Sequence, residues 1–132
     1  MARWLLKEDP ESYRFSDLVR DRTTEWNGVH NALALRHLRA MRPGDEAIMY
    51  HTGAERAAVG ILRVSSEPRP DPHDDRGSWS IEVRPVRALH HPVPLERLKQ
   101  EAVFSDSPLV RIGRLSVLPL TGAQWNRVLA LE

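Results

Sequence analysis

Ala58-Val59-Gly60-Ile61-Leu62-Arg63-Val64 is an apolar run of strand length with a glycine inside it. A glycine has no side chain to pack in a sheet, so within a strand it marks a bulge or a close approach by another part of the chain. Bulged strands bend, and bent strands build curved sheets. Upstream, Ala47-Ile48-Met49-Tyr50 is a second short apolar run, followed by a turn over 52–56, and reads as a buried strand. Downstream, residues 67–78 hold three prolines, a glycine and several charges, the composition of a surface loop. Trp79–Val86 then alternates Trp79, Ile81 and Val83 with Ser80, Glu82 and Arg84, which is the pattern of a half-buried strand.

The flanks complete the outline. Arg3–Lys7 is an opening strand that stops before Pro10. A turn over Ser12–Phe15 leads to a short helix capped by Ser16 and running to Arg20. Residues 21–29 show no period and read as loop. Ala34, Leu35, Leu38 and Met41 recur at helical spacing, so a helix is expected from Asn31 to Met41, ended by Pro43-Gly44-Asp45. Pro92–Gln100 reads as a short helix and Leu115–Leu118 as a last strand. Thr121 and Gln124 have capping-box spacing before a closing helix that carries Trp125, Val128 and Leu129 on one face. The expectation is one α+β domain over residues 1–132. Five to six short strands, decorated with four short helices, form a curved β-barrel.

Composition limits the function classes. A chain of 132 residues with 41% hydrophobic and 28% charged residues is ordinary for one globular domain. The net charge of +1, from 19 basic and 18 acidic residues, does not supply the basic field that bulk phosphate-backbone binding needs. Nucleic-acid affinity would have to come from local cations and a specific pocket. With no cysteine, disulfides, thiolate zinc sites and thiol nucleophiles are excluded. The apolar start at Met1–Leu6 is broken at once by Lys7, Glu8 and Asp9, which is no signal peptide, and no stretch has membrane-span length. A cytoplasmic protein without membrane contact is expected.

Three segments concentrate polar and aromatic groups. Trp26-Asn27-Gly28-Val29-His30-Asn31 joins an indole that can stack on a base to two amides that can read its edge. Its competing readings are a core anchor for Trp26 and a plain helix N-cap for Asn31. Tyr50-His51-Thr52 reads as a polar pocket wall or as a strand leaving the core. Arg111-Ile112-Gly113-Arg114 reads as a phosphate contact or as a solvated loop. Asp71, His73, Asp74 and Asp75 lack a known metal-ligand spacing, and adjacent His90-His91 point to opposite faces of a strand. No nucleophile elbow and no Walker or dinucleotide glycine pattern occurs, so no catalytic residue, metal or cofactor is assigned.

Several of these residues fall, in order, into one pattern. Trp4-Leu5-Leu6-Lys7-Glu8-Asp9-Pro10 resembles the W-L-L-K-S-E-P opening of the EVE domain. Tyr13-Arg14-Phe15-Ser16-Asp17-Leu18 is similar to Y-S-F-D-D-L, and Trp26–Asn31 to W-D-G-V-R-N. Leu38-Arg39-Ala40-Met41 with Gly44-Asp45, Tyr50-His51-Thr52, Gly60-Ile61, Arg114-Leu115-Ser116-Val117 with Pro119, and Trp125 continue the likeness to the C-terminus. The resemblance implies a PUA-like β-barrel related to YTH domains, which hold a methylated adenine in an aromatic cage. Some EVE domains are linked to modified cytosine in DNA. It implies a non-catalytic reader that takes a modified base of DNA or RNA, base-flipped or single-stranded. The pocket would use Lys7, Trp26, Asn27, Val29, Asn31, Tyr50, His51, Arg114 and Ser116. Trp26 would stack, Asn27 and Asn31 would read the base edge, and Lys7 and Arg114 would approach a phosphate or carbonyl. Four departures surround this pocket: Glu8 replaces Ser, His30 replaces Arg, Ala32-Leu33 replace Tyr-Gln, and Leu35-Arg36 replace Arg-Asn. Glu8 adds negative charge, which disfavours a phosphate and favours a base amine. The Glu8 and Ala32-Leu33 departures also motivate a second expectation, a small-molecule sensor or an enzyme acting on a nucleoside or related ligand. The near-neutral charge is also compatible with a partner-binding domain.

Overall fold

Trp4, Leu5 and Leu6 are consecutive and all buried, so the opening strand is covered on both faces. In the computed structural model, which describes residues 1–132, the chain runs through β1 (Arg3–Glu8), α1 (Phe15–Asp21), β2 (Thr24–Trp26), α2 (Ala32–Ala40), β3 (Glu46–His51) and β4 (Ala57–Val64). It continues through β5 (Arg69–Pro70), β6 (Trp79–Pro94), α3 (Leu95–Lys99), α4 (Pro108–Arg111), β7 (Val117–Leu120) and α5 (Gly122–Leu131). Six strands lie in the order β2-β6-β4-β3-β1-β7, and β5 pairs with β6 beside them. Every pairing is antiparallel except β1 with β3. A parallel pair needs a crossover, and the segment from α1 to α2 supplies it. The sheet curls into the half-barrel expected of an α+β, PUA-like domain. No helix is long and apolar enough to cross a membrane.

The curl has local causes. The register shifts between Met49 and Tyr50 in the β3–β4 pair, and between Ala58 and Gly60 and between Ile61 and Leu62 in the β4–β6 pair. A Cβ on Gly60 would sit 2.4 Å from the Phe15 ring, so this glycine serves both as a bulge and as a seat for the first aromatic of α1. The α1 N-terminus is clamped from the other side. His51 is buried; its Nε2 accepts from the Phe15 N–H at 3.1 Å, so Nδ1 carries the proton and donates to Glu55 at 2.7 Å. Glu55 also accepts from Arg14 at 2.6 Å, and these two donors, His51 first, hold its carboxyl below the usual range. At the opposite end of the sheet, buried Asp45 accepts from the Trp4 indole at 3.0 Å, Arg42 N–H at 3.0 Å and Ala2 N–H at 3.1 Å. Those three donors replace the water that burial removed.

Several sequence expectations are corrected here. Residues 21–29 are not all loop: Thr24–Trp26 form β2, paired through Trp26 to Ile81. The N-cap position of α1 is Arg14 rather than Ser16, with the Asp17 carboxylate accepting from the Arg14 N–H at 2.8 Å. β6 runs on past Val86 to Pro94, because Val93 and Pro94 pair with Ala58 and Ala57, and the helix that follows begins only at Leu95. The last strand is shifted to Val117–Leu120, in register with β1. β5, the 3-10 turn at Ala102–Phe104 and α4 are too short to leave a period in sequence. The capping box of Thr121 and Gln124 forms as its spacing predicts.

Candidate functional site

The two edge strands of the half-barrel, β2 and β7, do not pair with each other. The residues that follow β2 and those that precede β7 line one cavity of about 570 Å³. The end of β1 forms its floor. There Lys7 N–H donates to the Ser116 carbonyl and Thr52 N–H to the Glu8 carbonyl, both at 2.9 Å. The volume lies within the range of small-molecule pockets.

The cavity mixes one apolar wall with opposed charges. Trp26 and Val29 are buried residues on the wall, 4% and 6% exposed. Gly28, at φ +75°, makes the turn between them, a conformation that glycine adopts without strain. The Val29 carbonyl is tied down by the Ser78 hydroxyl at 2.6 Å. Asn27 and Arg114 are exposed and Ser116 half-buried at the rim. Glu8 and Asp9 line the same space as Lys7 and Arg114, so carboxylates and cations share it. Burial pushes the Glu8 pKa up and the Lys7 pKa down, so each pays for its partial desolvation. Lys7 Nζ donates to the Gly113 carbonyl at 2.9 Å and lies 5.6 Å from the centre of the Tyr50 ring.

Of the sequence candidates, Lys7, Glu8, Trp26, Asn27, Val29, Arg114 and Ser116 meet at this cavity. The other four lie elsewhere. Asn31 caps α2: its side-chain oxygen accepts from Leu33 N–H and Ala34 N–H, both at 3.0 Å, so that oxygen is committed to the helix. His30 points to the β5–β6 loop, held between the Asp74 carboxylate and Arg76, which donates at 2.7 Å. Both ring nitrogens of His51 are occupied at the α1 clamp. Tyr50 lines a second, smaller cavity on the far side of Lys7. Arg111 pairs with Asp106 at 2.9 Å and lies outside the cavity. Thr52, in the segment expected as a polar pocket wall, also lines the cavity, as do Gly28 and Gly113, which lie inside the two other polar segments, and Asp9, which follows β1 and carried no sequence expectation. A buried Trp in a strand and an amide in a helix cap are the plain structural roles. Here Trp26 fills the first and still reaches the cavity, while Asn31 fills the second through its side-chain oxygen and lies outside the cavity lining.

Residues 2–131 match the EVE domain. Human thymocyte nuclear protein 1 is 32% identical, over 99% of this chain and 74% of its own length. A solved structure of a protein from Rhodopseudomonas palustris superimposes with a TM-score of 0.92 at 33% identity, covering 99% of this chain and 92% of that one. The human THYN1 protein in complex with 5-methylcytosine-containing DNA superimposes with a TM-score of 0.88 at 28% identity, covering 99% of this chain and 97% of that one. With its half-barrel, its cavity between the edge strands and these likenesses over nearly its whole length, the chain belongs to the EVE domain family.

Proposed function

We propose that this domain is a non-catalytic reader of modified DNA that takes one extruded base, with 5-methylcytosine as the first candidate, into the cavity between β2 and β7. The observation that carries the reading is the chemistry of that cavity. Trp26 and Val29 supply an apolar wall for a ring and its methyl group. The Glu8 carboxylate matches the exocyclic amine of cytosine, which is a donor, and the Asn27 amide matches the neighbouring acceptors. Lys7 or Arg114 faces a carbonyl or the flanking backbone. The relative solved with 5-methylcytosine-containing DNA supports the choice of ligand class. Extrusion is the natural route, because a base stacked and paired inside a duplex cannot lay its ring on Trp26 while offering its amine to Glu8.

The test is a fluorescence-anisotropy titration with matched DNA strands, unmodified and 5-methylated at one cytosine, at two salt concentrations. Tighter binding of the methylated strand is expected. Equal binding of both strands would refute a modified-base reader. Preference for a methylated RNA over the matching DNA would refute the choice of DNA.

A further inference from the structure

On the far side of Lys7 from the base cavity lies a second cavity of about 270 Å³. Tyr50, Leu95, Leu109 and Val110 contribute its apolar part, and Lys7, Arg56 and Lys99 its charged part. No acidic residue lines it, whereas the base cavity carries Glu8 and Asp9. The three cations are also free of internal neutralisation, since no carboxylate lies within ion-pair distance of Lys7, Arg56 or Lys99. The chain has only two lysines, and both are here. In a protein of net charge +1, this is a local excess of positive charge in a concave site.

We infer that this second cavity binds a phosphate group, and that on a DNA strand it holds a backbone phosphate next to the base seated beyond Lys7. The geometry supports the pairing of the two sites. Lys7, Thr52 and Gly113 line both cavities, so the two sites adjoin and one ligand can span them. Lys7 spends one of its three donors on the Gly113 carbonyl and keeps two for an anion. Arg56 is held at φ +43°, an uncommon conformation for a residue with a side chain, in the turn that faces the cavity. The volume falls just below the usual range of whole-ligand pockets, which suits a phosphate with part of its sugar better than a complete nucleotide. Burial lowers the Lys7 pKa, and a bound anion would raise it again.

The strand-bound form of this inference rests on the reader function proposed above; the phosphate site itself does not. The experiment therefore has two arms. In the first, amide resonances are followed by NMR while the domain is titrated with inorganic phosphate, cytidine 5′-monophosphate or cytidine. Gly53, Arg56, Lys99 and Val110 are expected to shift with the two phosphate ligands and not with cytidine, and Lys99→Ala is expected to weaken both at least about fivefold. Arg56→Gly, which suits the positive φ, checks the same loss without backbone strain. No shift with phosphate, or shifts unaffected by both substitutions, would overturn the site. In the second arm, the salt dependence of single-stranded DNA binding is measured. Removing one phosphate contact is expected to lower the slope of log K against log salt by about 0.7, equally for methylated and unmethylated strands. A phosphate response without any DNA binding would sink the reader and the strand-bound form, and keep a site for a free phosphorylated ligand. Methyl-selective DNA binding with no phosphate response would sink this inference and keep the reader.

Discussion

Trp26→Ala separates the two roles that the structure gives to one indole. Trp26 is 4% exposed and sits in β2, paired across to Ile81, so the ring is part of the core as well as the cavity wall. A buried Trp removes about 150–250 Å² from water. At about 25 cal/mol per Å² that is about 4–6 kcal/mol, and measured truncations of Phe or Trp to Ala cost about 3–5 kcal/mol. Single domains hold about 5–15 kcal/mol in all, so the variant is expected to fold with a large part of its reserve gone. With a urea slope of about 2 kcal/mol per molar, the midpoint should fall by about 2 M. Far-UV circular dichroism is the assay, because the substitution changes tryptophan fluorescence itself. Binding of a methylated strand, measured well below the new midpoint, should drop by the further 1–3 kcal/mol or so that base stacking contributes. A midpoint lowered by less than about 0.5 M would refute the core role of Trp26. Undiminished DNA affinity in the folded variant would refute its place against the base.

Other perturbations test other parts of the account. Gly60→Ala drives a Cβ into the Phe15 ring and is expected to cost about 1–3 kcal/mol, read as a lowered Tm; Phe15→Ala in the same background should recover part of it, and additive losses would contradict the contact. Glu132 accepts from both Arg87 nitrogens at 2.7 and 2.6 Å and from His90 N–H at 2.8 Å, and Arg87 is the main reason its pKa is pulled to about 2. Its folded pKa is depressed, so its stabilisation is complete above about pH 4.5 and disappears as pH falls toward 2. Glu132→Gln should therefore lower the Tm at pH 7, modestly because Arg87 is 40% exposed, and leave it unchanged well below pH 2. A loss that stays constant with pH would contradict the pairing. Glu8→Ser removes the carboxylate proposed to accept from the cytosine amine, and should reduce the preference for cytosine over thymine by about 1–3 kcal/mol. In the wild-type domain the same preference should weaken as pH falls through the raised pKa of Glu8, and a preference indifferent to both changes would remove Glu8 from the recognition.

How much of this was legible in the sequence depended on whether a residue's role left a local pattern. The Gly60 strand and the Thr121–Gln124 box are local patterns, and each formed; Trp79–Val83 is also a strand, but Ser80 is buried and Trp79 half-buried, so its alternation holds only from Ile81 onward. β2 did not announce itself because three residues are too few to show a period and their pairing partner lies more than fifty residues away. The end of β6 falls inside the span Pro92–Gln100, whose Leu95 and Leu98 suggest a helix; prolines are unusual in a strand interior, yet the bent ladder to β4 accommodates Pro94. For the cavity, seven of the eleven candidate residues line one space. A sequence pattern does not say which way a side chain turns. Asn31 and His51 are polar residues that serve the backbone, one at a helix cap and the other at the first N–H of α1, and only three-dimensional contacts distinguish that from ligand recognition. The separation of Tyr50 from Trp26 into two cavities likewise depends on where Lys7 lies between them.

The most direct test of the central claim, that a modified base enters the cavity beside Trp26, uses the protein's own four indoles as probes. Trp26 lines the cavity; Trp4 donates to buried Asp45, Trp79 lies 4.1 Å from Arg39, and Trp125 lies 4.3 Å from Arg3. Indole N–H resonances should be recorded by NMR as a 5-methylcytosine strand is added, with the unmethylated strand as reference. The account predicts a large shift at Trp26 with the methylated strand, a smaller one with the unmethylated strand, and little change at Trp4 and Trp125. A silent Trp26 under saturating methylated DNA, or equal responses to the two strands, would contradict it.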